Sequence, residues 1–466
     1  MQLLINHKTE KKLNPYIFRK YDIRGIVATD FTPDVVTDLG RAFGTYVKRT
    51  GGNSVSISGD IRLTTPRLIG NFSQGLLETG ITVIDLGIVP TPANYFSMFH
   101  LYVDGAIQIT GSHNPPEFNG FKLSYKQGAF YGDQIQELKK LIEDGDFEPG
   151  SGKVEKVDIM IPYQAMLKEK IKIDKPLKAV IDCGNAAACL TAPQIFKEMG
   201  IKTTELFCDV DGTFPNHHPD PTEDHNLVDL VKEIKSGDYD FGVAYDGDAD
   251  RVVAVDENGG IIRSDILMAL FLPEVIKNPG DAIVYDVKCS QALEDMILKY
   301  GGKPVMWKTG HSLIKDKMKE LNVNFAGEMS GHIFFADDFY GFDDAIYVSL
   351  RLAQLLSRTE QTLSELTSEI PLYYSTPEMR LECSDDEEKF KISRKADEYF
   401  TANYNCSTVD GVRIKFDDGW GLVRASNTQP VIVCRFEAKT MERMEEIQSE
   451  ILDKLTEFGE IALEHC

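Results

Sequence analysis

The chain reads SVSISGD at residues 54–60, KAVIDCG at 178–184 and AIVYDVK at 282–288. Each run is apolar and rich in β-forming residues, and each carries an aspartate near its end. A helical pattern and a second strand-like segment follow every time. Strand–helix–strand units of this kind build parallel sheets. The threefold repeat therefore predicts three related α/β domains.

Each unit then reaches a further apolar strand that ends in a polar loop containing glycine. These segments are GAIQITGSHNPPEFNG from residue 105, FGVAYDGDADRV from 241 and VNFAGEMSGHIFF from 323. Ligands of open α/β sheets bind beyond the carboxyl ends of the strands, so we expect the three loops to converge on one cleft. From about Leu372 the pattern changes to MRLEC, GVRIKF, GWGLVRAS and PVIVCRFEA, followed by a long helical segment. This change predicts a smaller α+β domain.

The expected fold class is α/β, with three related mixed-sheet α/β domains and a smaller C-terminal α+β domain around a central cleft. We expect the first domain, with the loop that follows GAIQI, at residues 1–157 and the second, with the loop that follows FGVAY, at 158–259. The third, with the loop that follows VNFA, is expected at 260–371, and the fourth at 372–466.

Composition excludes several classes of function. The 466 residues include 50 Lys plus Arg against 73 Asp plus Glu, a net charge of −23, which argues against a nucleic-acid partner. The longest apolar stretch, 266–276, is about half of the roughly 20 residues that a membrane span needs. The N-terminal segment does not resemble a signal peptide. We therefore expect a cytoplasmic protein with no membrane partner.

The eight cysteines occur at scattered positions and form no CxxC pair. This spacing argues against a zinc site and against a disulfide framework. We expect reduced, mostly buried thiols.

The loop DGDADR places carboxylates at Asp246, Asp248 and Asp250, directly after an apolar strand. Three mutually repelling carboxylates require a cation, and Mg²⁺ prefers carboxylate oxygen. An EF-hand is rejected because Arg251 occupies the position that needs glycine and because the flanking segments are strands. A solvated acidic turn is the plainer alternative.

The loop TGSHNPPEFNG places Ser112 between a flexible Gly111 and His113, with two prolines stiffening the residues that follow. The pattern predicts an exposed turn that presents the serine hydroxyl. The serine is either a nucleophile or a turn-capping residue, and the local pattern does not decide between them. The absence of a G-x-S-x-G motif disfavours a serine hydrolase.

Two further loops carry hydrogen-bonding groups. GEMSGH offers Glu328, Ser330 and His332, which suit sugar hydroxyls, although a glycine-rich turn explains them equally well. RASNTQP sits between two strand-like segments, and its guanidinium, hydroxyl and amide groups suit a phosphate, with a plain β-turn as the alternative. The polar residues of this second loop are Arg424, Ser426, Asn427 and Thr428.

Two more segments favour an anionic ligand. FRKYDIRG carries Tyr21 and Arg24 in a predicted loop, and WKTGHS carries Thr309, Gly310 and His311 after a strand. Cations gathered at strand ends would create a local region of positive electrostatic potential in this acidic chain.

Taken together and in this order, TGSHNPPEFNGFKL, DGDADR, GEMSGH and RASNTQP closely resemble the motifs of the α-D-phosphohexomutases. GEMSGH with FRKYDIRG is similar to the bacterial phosphomannomutase/phosphoglucomutase branch. The resemblance covers essentially the whole chain. It implies an enzyme that interconverts the 1-phosphates and 6-phosphates of mannose and glucose through a phosphoserine and a hexose 1,6-bisphosphate.

The resemblance also implies roles for individual residues. Ser112 would carry the phosphate, and Mg²⁺ would be held by the three aspartates of DGDADR and the serine phosphate. A clamp of Arg24, Lys122 and Arg251 would act on the transferring group, with His113 beside it, and Lys122 and His332 would be candidates for proton transfer. Glu328 and Ser330 would hold sugar hydroxyls, and the RASNTQP residues would grip the distal phosphate. The remaining substrate-binding residues would be Tyr21, Lys288, Thr309, Gly310 and His311.

Two rivals from other classes remain open. A phosphatase of the haloacid dehalogenase type would use the DGD aspartate as nucleophile and leave Ser112 without a role. A non-catalytic sugar-phosphate sensor would need the cleft but no metal. The expected partner is a small phosphosugar, and we expect the chain to act as a monomer.

Overall fold

Four β-sheets, each with its own helices, follow one another in the described part of the chain. The structure is a computed structural model that describes residues 13–426 and 430–463. Its Cα positions fall into two compact units. The first contains the described residues up to Tyr163 together with Val210–His218, and the second contains Gln164–Asp209 and the described residues from Pro219 onward.

The first sheet follows a 3₁₀ turn at Pro15–Ile17. Its elements are β1 (Ile23–Ile26), α1 (Val27–Asp30), α2 (Pro33–Arg49), β2 (Ser54–Gly59), α3 (Thr65–Glu78), β3 (Thr82–Ile88), α4 (Thr91–His100), β4 (Gly105–Ile109), β5 (Phe118–Tyr125), β6 (Gly128–Ala129), α5 (Asp133–Asp144) and β7 (Val154–Lys156). The strand order is β1-β5-β4-β2-β3-β7, with β6 beside β5.

The second sheet has five strands. Its elements are α6 (Met160–Lys170), β8 (Lys178–Asp182), α7 (Ala192–Glu198), β9 (Lys202–Leu206), α8 (Val228–Ser236), β10 (Phe241–Tyr245), β11 (Val252–Asp256) and β12 (Ile261–Ile262). The strand order is β12-β11-β10-β8-β9. Two 3₁₀ turns, Ala187–Leu190 and Asp224–Leu227, lie in its connections.

The third sheet repeats the pattern with four strands. Its elements are α9 (Ser264–Val275), β13 (Ala282–Asp286), α10 (Gln291–Lys299), β14 (Lys303–Trp307), α11 (His311–Leu321), β15 (Phe325–Gly327), β16 (Ile333–Phe335), α12 (Ala345–Ser357) and α13 (Leu363–Ser368). The strand order is β14-β13-β15-β16.

The fourth sheet is antiparallel throughout. Its elements are β17 (Tyr374–Ser375), β18 (Met379–Glu382), α14 (Asp386–Asn403), β19 (Asn405–Ser407), β20 (Val412–Lys415), β21 (Gly419–Ala425), β22 (Val431–Ala438), α15 (Met441–Phe458) and β23 (Ala462–Leu463). The strand order is β19-β20-β21-β22-β18-β23, with β17 also on β22.

The predicted threefold repeat is confirmed strand by strand. In the first three sheets one strand (β2, β8 or β13) pairs in parallel with the strand after its helix (β3, β9 or β14). The same strand pairs in parallel with a third strand (β4, β10 or β15). A loop then joins that third strand to an antiparallel neighbour (β5, β11 or β16). The predicted mixed-sheet α/β class with an α+β C-terminal domain is therefore confirmed, and the polar loops follow the third strand of each repeat.

Packing explains why these elements hold the loops firmly. All residues of β4 and β10 are buried, as expected for strands covered on both faces. Helices α2 and α3 can approach closely because Gly40 has no side chain. A Cβ at this position would lie 2.2 Å from the Phe72 carbonyl oxygen. In the fourth sheet, α14 and α15 pack on a core that includes Phe400 and Ile451.

Two sequence expectations concern the membrane and the cysteines. Within residues 13–426 and 430–463, no helix combines the length and apolar character needed to cross a bilayer. The seven cysteines in this part of the chain form no disulfide. Of these seven, only Cys183, Cys289 and Cys434 are buried, so the expectation that most of the thiols are buried is wrong.

Candidate active site

Ser112 lies in the loop between β4 and β5. Its backbone is left-handed, with a φ of 48°, and its N–H donates to Oγ1 of Thr110 at 2.8 Å. Its Oγ lies 3.2 Å from Nδ1 of His113. The expectation of an exposed turn is wrong, because Ser112 is only 1% exposed. The loop folds onto its own support and holds the hydroxyl in a fixed position.

That support is the buried guanidinium of Arg62. Its Nε contacts the Asp60 carboxylate at 3.2 Å, and the same carboxylate oxygen accepts the N–H of Gly111 at 3.0 Å. A Cβ on Gly111 would lie 2.4 Å from Cζ of Arg62, so the glycine provides space for this side chain and not the flexibility that the sequence suggests. The guanidinium donates to the main-chain carbonyls of Ser112, Asn114, Pro115 and Phe118.

One cationic side chain of the first unit contacts the serine loop, and a second lies in the strand that follows the loop. Arg24 lies in β1, not in the loop that the sequence predicts, because β1 pairs with β5 in a register that sets Arg24 opposite Gly120. Its guanidinium donates to Oδ1 of Asn114 in the serine loop. Lys122 lies in β5 and is buried. Tyr21 is half-buried just before β1.

The carbonyl of His113 is held by a residue far along the chain. Nε2 of His218 donates to it, and His218 belongs to Val210–His218, the segment that packs with the first unit. In the same segment, the Phe214 ring lies 5.2 Å from the Arg62 guanidinium carbon. The serine loop is thus supported by residues from two separate parts of the sequence.

The acidic loop joins β10 to β11 in the second unit. Asp246, Asp248 and Asp250 are all fully buried, and one carboxylate oxygen of each lies within 4.8 Å of the others. Oδ1 of Asp246 accepts the N–H groups of Asp250 at 3.1 Å and Arg251 at 3.2 Å, while Ala249 is left-handed with a φ of 63°. Three buried hard oxygen donors in a tight loop between strands fit a divalent cation such as Mg²⁺.

His332 lies beside this loop. Nε of Arg251 donates to its Nε2 at 3.0 Å, so Nε2 is the acceptor nitrogen. Its Nδ1 is 2.9 Å from Oδ2 of Asp343 and 3.6 Å from Oδ1 of Asp250. The two ring nitrogens of His332 thus lie in different surroundings, Nε2 beside a guanidinium and Nδ1 beside two carboxylates.

Asp343 also contacts a second histidine. Its Oδ2 is 3.5 Å from Nδ1 of His311, whose ring stacks on His332 at 5.3 Å. Burial, and then the Lys315 ammonium, lower the pKa of His311 to about 4. Burial opposes ionisation of Asp343, but Lys315 at 2.9 Å and the two imidazoles outweigh it and hold the pKa of Asp343 well below its usual range. Asp343 is the anionic centre of the pair.

The GEMSGH loop is tied to neighbouring strands by carboxylates. Oε1 of Glu328 accepts the N–H of Gly310, and burial raises the pKa of Glu328. Oδ1 and Oδ2 of Asp286, at the end of β13, accept the N–H of Met329 at 3.2 Å and the hydroxyl of Thr309 at 3.0 Å. Ser330, next along the loop, is half-buried.

Two cations near this loop are each paired with a carboxylate of the fourth sheet's domain. Nζ of Lys288 lies 3.1 Å from Glu378, and this charge chiefly lowers the pKa of Glu378 to about 2. Nε of Arg424 lies 2.7 Å from Oδ2 of Asp410. The same Asp410 oxygen accepts the N–H of Thr309 at 3.1 Å.

The turn that carries Lys288 is clamped from the fourth sheet. Arg413 is buried, stacks on Trp420 at 3.7 Å, and donates to the carbonyls of Val287 at 2.8 Å and Cys289 at 2.9 Å. Glu437 accepts the indole N–H of Trp420 at 2.7 Å and the N–H that begins α10. The clamp fixes the backbone on both sides of Lys288.

The last predicted loop is described only in part. Ser426 is buried, its N–H donates to the carbonyl of Val431 at 3.0 Å, and its carbonyl accepts from Lys389 at 2.9 Å. Asn427 and Thr428 lie outside the described residues.

Comparison with known proteins agrees with this geometry. Phosphoglucomutase/phosphomannomutase family models match the chain at residues 15–149 (alpha/beta/alpha domain I), 162–260 (domain II), 263–374 (domain III) and 378–454 (C-terminal domain). The chain belongs to the phosphoglucomutase/phosphomannomutase family.

Individual relatives cover nearly the full length. A phosphomannomutase/phosphoglucomutase of Pseudomonas aeruginosa is 44% identical over 94% of this chain and 95% of its own. A phosphoglucomutase of Neisseria meningitidis is 41% identical over 93% and 95%. The crystal structure of a phosphoglucomutase/phosphomannomutase family protein from Burkholderia thailandensis superposes with a TM-score of 0.91 at 42% identity, covering 96% of this chain and 99% of that one.

Several residues that shape the site of this family member escape sequence reasoning. Arg62, Glu378 and Asp410 act through partners distant in sequence and belong to no local motif. Asp343 stands in GFDDA, where the only local signal is that the next residue, Asp344, caps α12. A buried carboxylate between two histidines becomes visible only when the sheet brings α11, β16 and α12 together.

Proposed function

We propose that the chain is a phosphohexomutase that interconverts hexose 1-phosphate and hexose 6-phosphate, acting on both mannose and glucose. The observation that carries the proposal is the buried carboxylate cluster of Asp246, Asp248 and Asp250. A sugar-phosphate sensor has no use for such a cluster, whereas phosphoryl transfer requires a cation to neutralise charge. Membership of the family and the names of its relatives support the same reaction.

Ser112 is the proposed carrier of the phosphoryl group. In the first step the bond from phosphorus to Oγ of Ser112 breaks, a bond to the free hydroxyl oxygen of the hexose phosphate forms, and that hydroxyl loses its proton to a base. The product is a hexose 1,6-bisphosphate. After it reorients, its other phosphoryl group returns to Oγ, and the proton is given back to the sugar oxygen. The rigid loop supports this role because positioning supplies much of the rate in phosphoryl transfer.

The three aspartates of the acidic loop are the proposed holders of Mg²⁺, together with an oxygen of the serine phosphate. When bound, the cation neutralises negative charge on the transferring group. Arg24, Lys122 and Arg251 are proposed to add positive charge, with His113 beside Ser112. Lys122 and His332 are the proposed candidates for moving protons to and from the sugar hydroxyls.

The substrate is proposed to bind at the GEMSGH loop and the paired cations. Glu328 and Ser330 hold sugar hydroxyls common to mannose and glucose. Lys288 and Arg424 bind the distal phosphate by exchanging their carboxylate partners for it. Neighbouring groups proposed to assist are Tyr21, Thr309, Gly310, His311, Ser426, Asn427 and Thr428.

The haloacid-dehalogenase alternative is less well supported. Its nucleophile would be Asp246, but Oδ1 of this residue accepts two backbone N–H groups of its own loop. Such anchoring suits a carboxylate that holds a cation better than one that attacks phosphorus.

We extend the proposal to the domains, the assembly and the compartment. The predicted domains at 1–157, 158–259, 260–371 and 372–466 would supply the serine, metal, sugar and phosphate sites, in that order. One chain contributes every proposed group, so a monomer suffices. The described cysteines form no disulfide, which suits the cytoplasm.

Replacement of Ser112 by alanine tests the proposal. Ser112→Ala should lower mutase turnover on both sugars by several orders of magnitude while the thermal midpoint stays close to that of the wild type. The matched control is Ser97→Ala, which removes another buried serine hydroxyl of the same unit and should keep most of the activity. Release of inorganic phosphate by Ser112→Ala at the wild-type rate would favour the phosphatase instead.

A further inference from the structure

Three cysteines meet at the carboxyl ends of β8 and β9. Cys183 directly follows β8, and its N–H donates to the carbonyl of Leu206, the last residue of β9, at 3.1 Å. The thiol of Cys208 also donates to that carbonyl, at 3.3 Å. Cys189 approaches from the 3₁₀ turn, with its thiol 3.5 Å from the carbonyl oxygen of Phe207. Backbone contacts alone thus bring the three residues together.

The three thiols differ in accessibility. Cys183 is fully buried, whereas Cys189 and Cys208 are half-buried. Burial, and then the neighbouring thiols of Cys189 and Cys208, raise the pKa of Cys183 well above its usual range. Because Cys183 is fully buried, an oxidant in solution reaches the half-buried Cys189 or Cys208 first. Cys183 is placed to react second, with whichever neighbour has been oxidised.

The turn between Cys183 and Cys189 also touches the acidic loop. The N–H of Ala187 donates to the carbonyl of Gly247, between two of the proposed Mg²⁺ ligands, at 3.3 Å. The turn is tight, with left-handed φ values of 52° at Gly184 and 58° at Asn185. A displacement of this turn would therefore be transmitted, through the hydrogen bond from Ala187 to Gly247, to the backbone that positions the aspartates.

We propose that Cys183, Cys189 and Cys208 form a peroxide-sensitive thiol site whose oxidation weakens divalent-cation binding by the acidic loop. One of the two half-buried thiols, that of Cys189 or Cys208, takes one oxygen atom from hydrogen peroxide, giving a sulfenic acid and water. The Cys183 sulfur then attacks that sulfur, a disulfide forms, and a second water leaves with the thiol proton and the sulfenic hydroxyl. In total two thiols are oxidised and one peroxide is reduced to two waters.

The consequence for the acidic loop follows from geometry. A disulfide bond is about 2.05 Å long, shorter than any contact between two thiols, so its formation draws the 183–189 turn or the 206–208 segment inward. The contact from Ala187 to Gly247 must then adjust. Partners that support metal ligands from outside typically change metal affinity by about 10-fold to 100-fold. We expect a loss of about tenfold in Mg²⁺ affinity, the lower end of that range.

The thiol chemistry does not depend on the proposed mutase activity, but the effect on cation binding rests on the proposed metal site. The full chain is treated with hydrogen peroxide, and its disulfides are mapped by peptide mass spectrometry. Mg²⁺ affinity is then measured by calorimetry without sugar, before oxidation, after oxidation and after reduction with a dithiol. We expect a disulfide that contains Cys183 and a loss of affinity that reduction reverses.

Variants separate this site from general oxidation. The double variant C189S/C208S keeps the buried Cys183 and should retain its Mg²⁺ affinity after peroxide. The matched control is Cys406→Ser, another half-buried cysteine whose thiol contacts a carbonyl oxygen, that of Phe400 at 3.4 Å. This control should remain sensitive. Absence of any disulfide at Cys183, or unchanged Mg²⁺ affinity after it forms, would overturn the proposal. If the disulfide and its effect appear in a chain without mutase activity, only the proposed function fails.

Discussion

The acidic loop between β10 and β11 and the cations Lys288 and Arg424 differ in how their charge is balanced. The acidic loop gathers three buried carboxylates within 4.8 Å, a repulsive arrangement that a divalent cation relieves. Lys288 and Arg424, in contrast, already contact the carboxylates of Glu378 and Asp410. We infer that a bound cation relieves repulsion at the acidic loop, whereas a phosphate bound at Lys288 and Arg424 replaces one anion with another.

The difference bears on how strongly each site holds its ligand. A cation bound at the acidic loop relieves the repulsion among three neighbouring carboxylates. Phosphate binding at Lys288 and Arg424 must displace the half-buried carboxylates of Glu378 and Asp410, and the net gain is the difference between two similar attractions. We therefore expect the acidic loop to be far more sensitive to substitution.

Replacing one carboxylate of the acidic loop should produce the largest effect. Asp248→Asn removes a charge and a ligand from the cluster, so Mg²⁺ affinity should fall more than about 100-fold, together with turnover. Calorimetry with Mg²⁺ measures this directly. The control is Asp256→Asn, at the end of β11, where the carboxylate caps its own turn by accepting N–H groups of Asn258 and Gly260. Equal losses in both variants would show that the acidic loop has no special role.

Replacing Glu328 should have an effect of intermediate size. Glu328 is a buried carboxylate that accepts a backbone N–H, and burial raises its pKa. A hydrogen bond to a charged group is worth about 1.5–3 kcal/mol. Glu328→Gln should therefore lower kcat/KM by about 10-fold to 100-fold, and equally for mannose and glucose phosphates. Loss of mannose phosphate turnover alone would mean that Glu328 recognises C2, the carbon at which the two sugars differ.

Arg424→Lys should have a smaller effect, confined to substrate. Lysine keeps the charge but loses the planar fork that binds a phosphate through two parallel hydrogen bonds. We expect KM to rise about tenfold, roughly one charge-assisted hydrogen bond, while Mg²⁺ affinity stays unchanged. Kinetics and calorimetry on the same preparation separate the two quantities. A change in Mg²⁺ affinity of similar size would contradict the independence of the two sites.

Glu378→Gln should affect stability more than catalysis. The folded pKa of about 2 lies below the ordinary value of 4.5, so the ionised carboxylate stabilises the fold above pH 4.5, and this stabilisation is lost as the pH falls toward 2. The shift corresponds to at most about 3 kcal/mol. At pH 7 the variant should melt below the wild type, and the gap should narrow below pH 4.5. A gap that is independent of pH would mean that the ion pair with Lys288 contributes nothing.

The sequence predicted the repeat because strand periodicity and terminal aspartates are local patterns. It also predicted the acidic loop between strands, and the final helix, Met441–Phe458, coincides with its periodic segment. Arg24 in a strand and Ser112 in a buried loop were not predictable, because both depend on pairing across the first sheet and on Arg62. The carboxylate partners Glu378 and Asp410 depend on how the fourth sheet meets the third.

The most direct test of the proposed function is transfer of phosphate to Ser112. The purified chain, freed of phosphate, is incubated with Mg²⁺ and glucose 1,6-bisphosphate, and the modified residue is identified by peptide mass spectrometry. We expect one phosphate on Ser112, together with release of glucose 1-phosphate and glucose 6-phosphate. Phosphate on Asp246, or release of inorganic phosphate with Ser112 unmodified, would contradict the account.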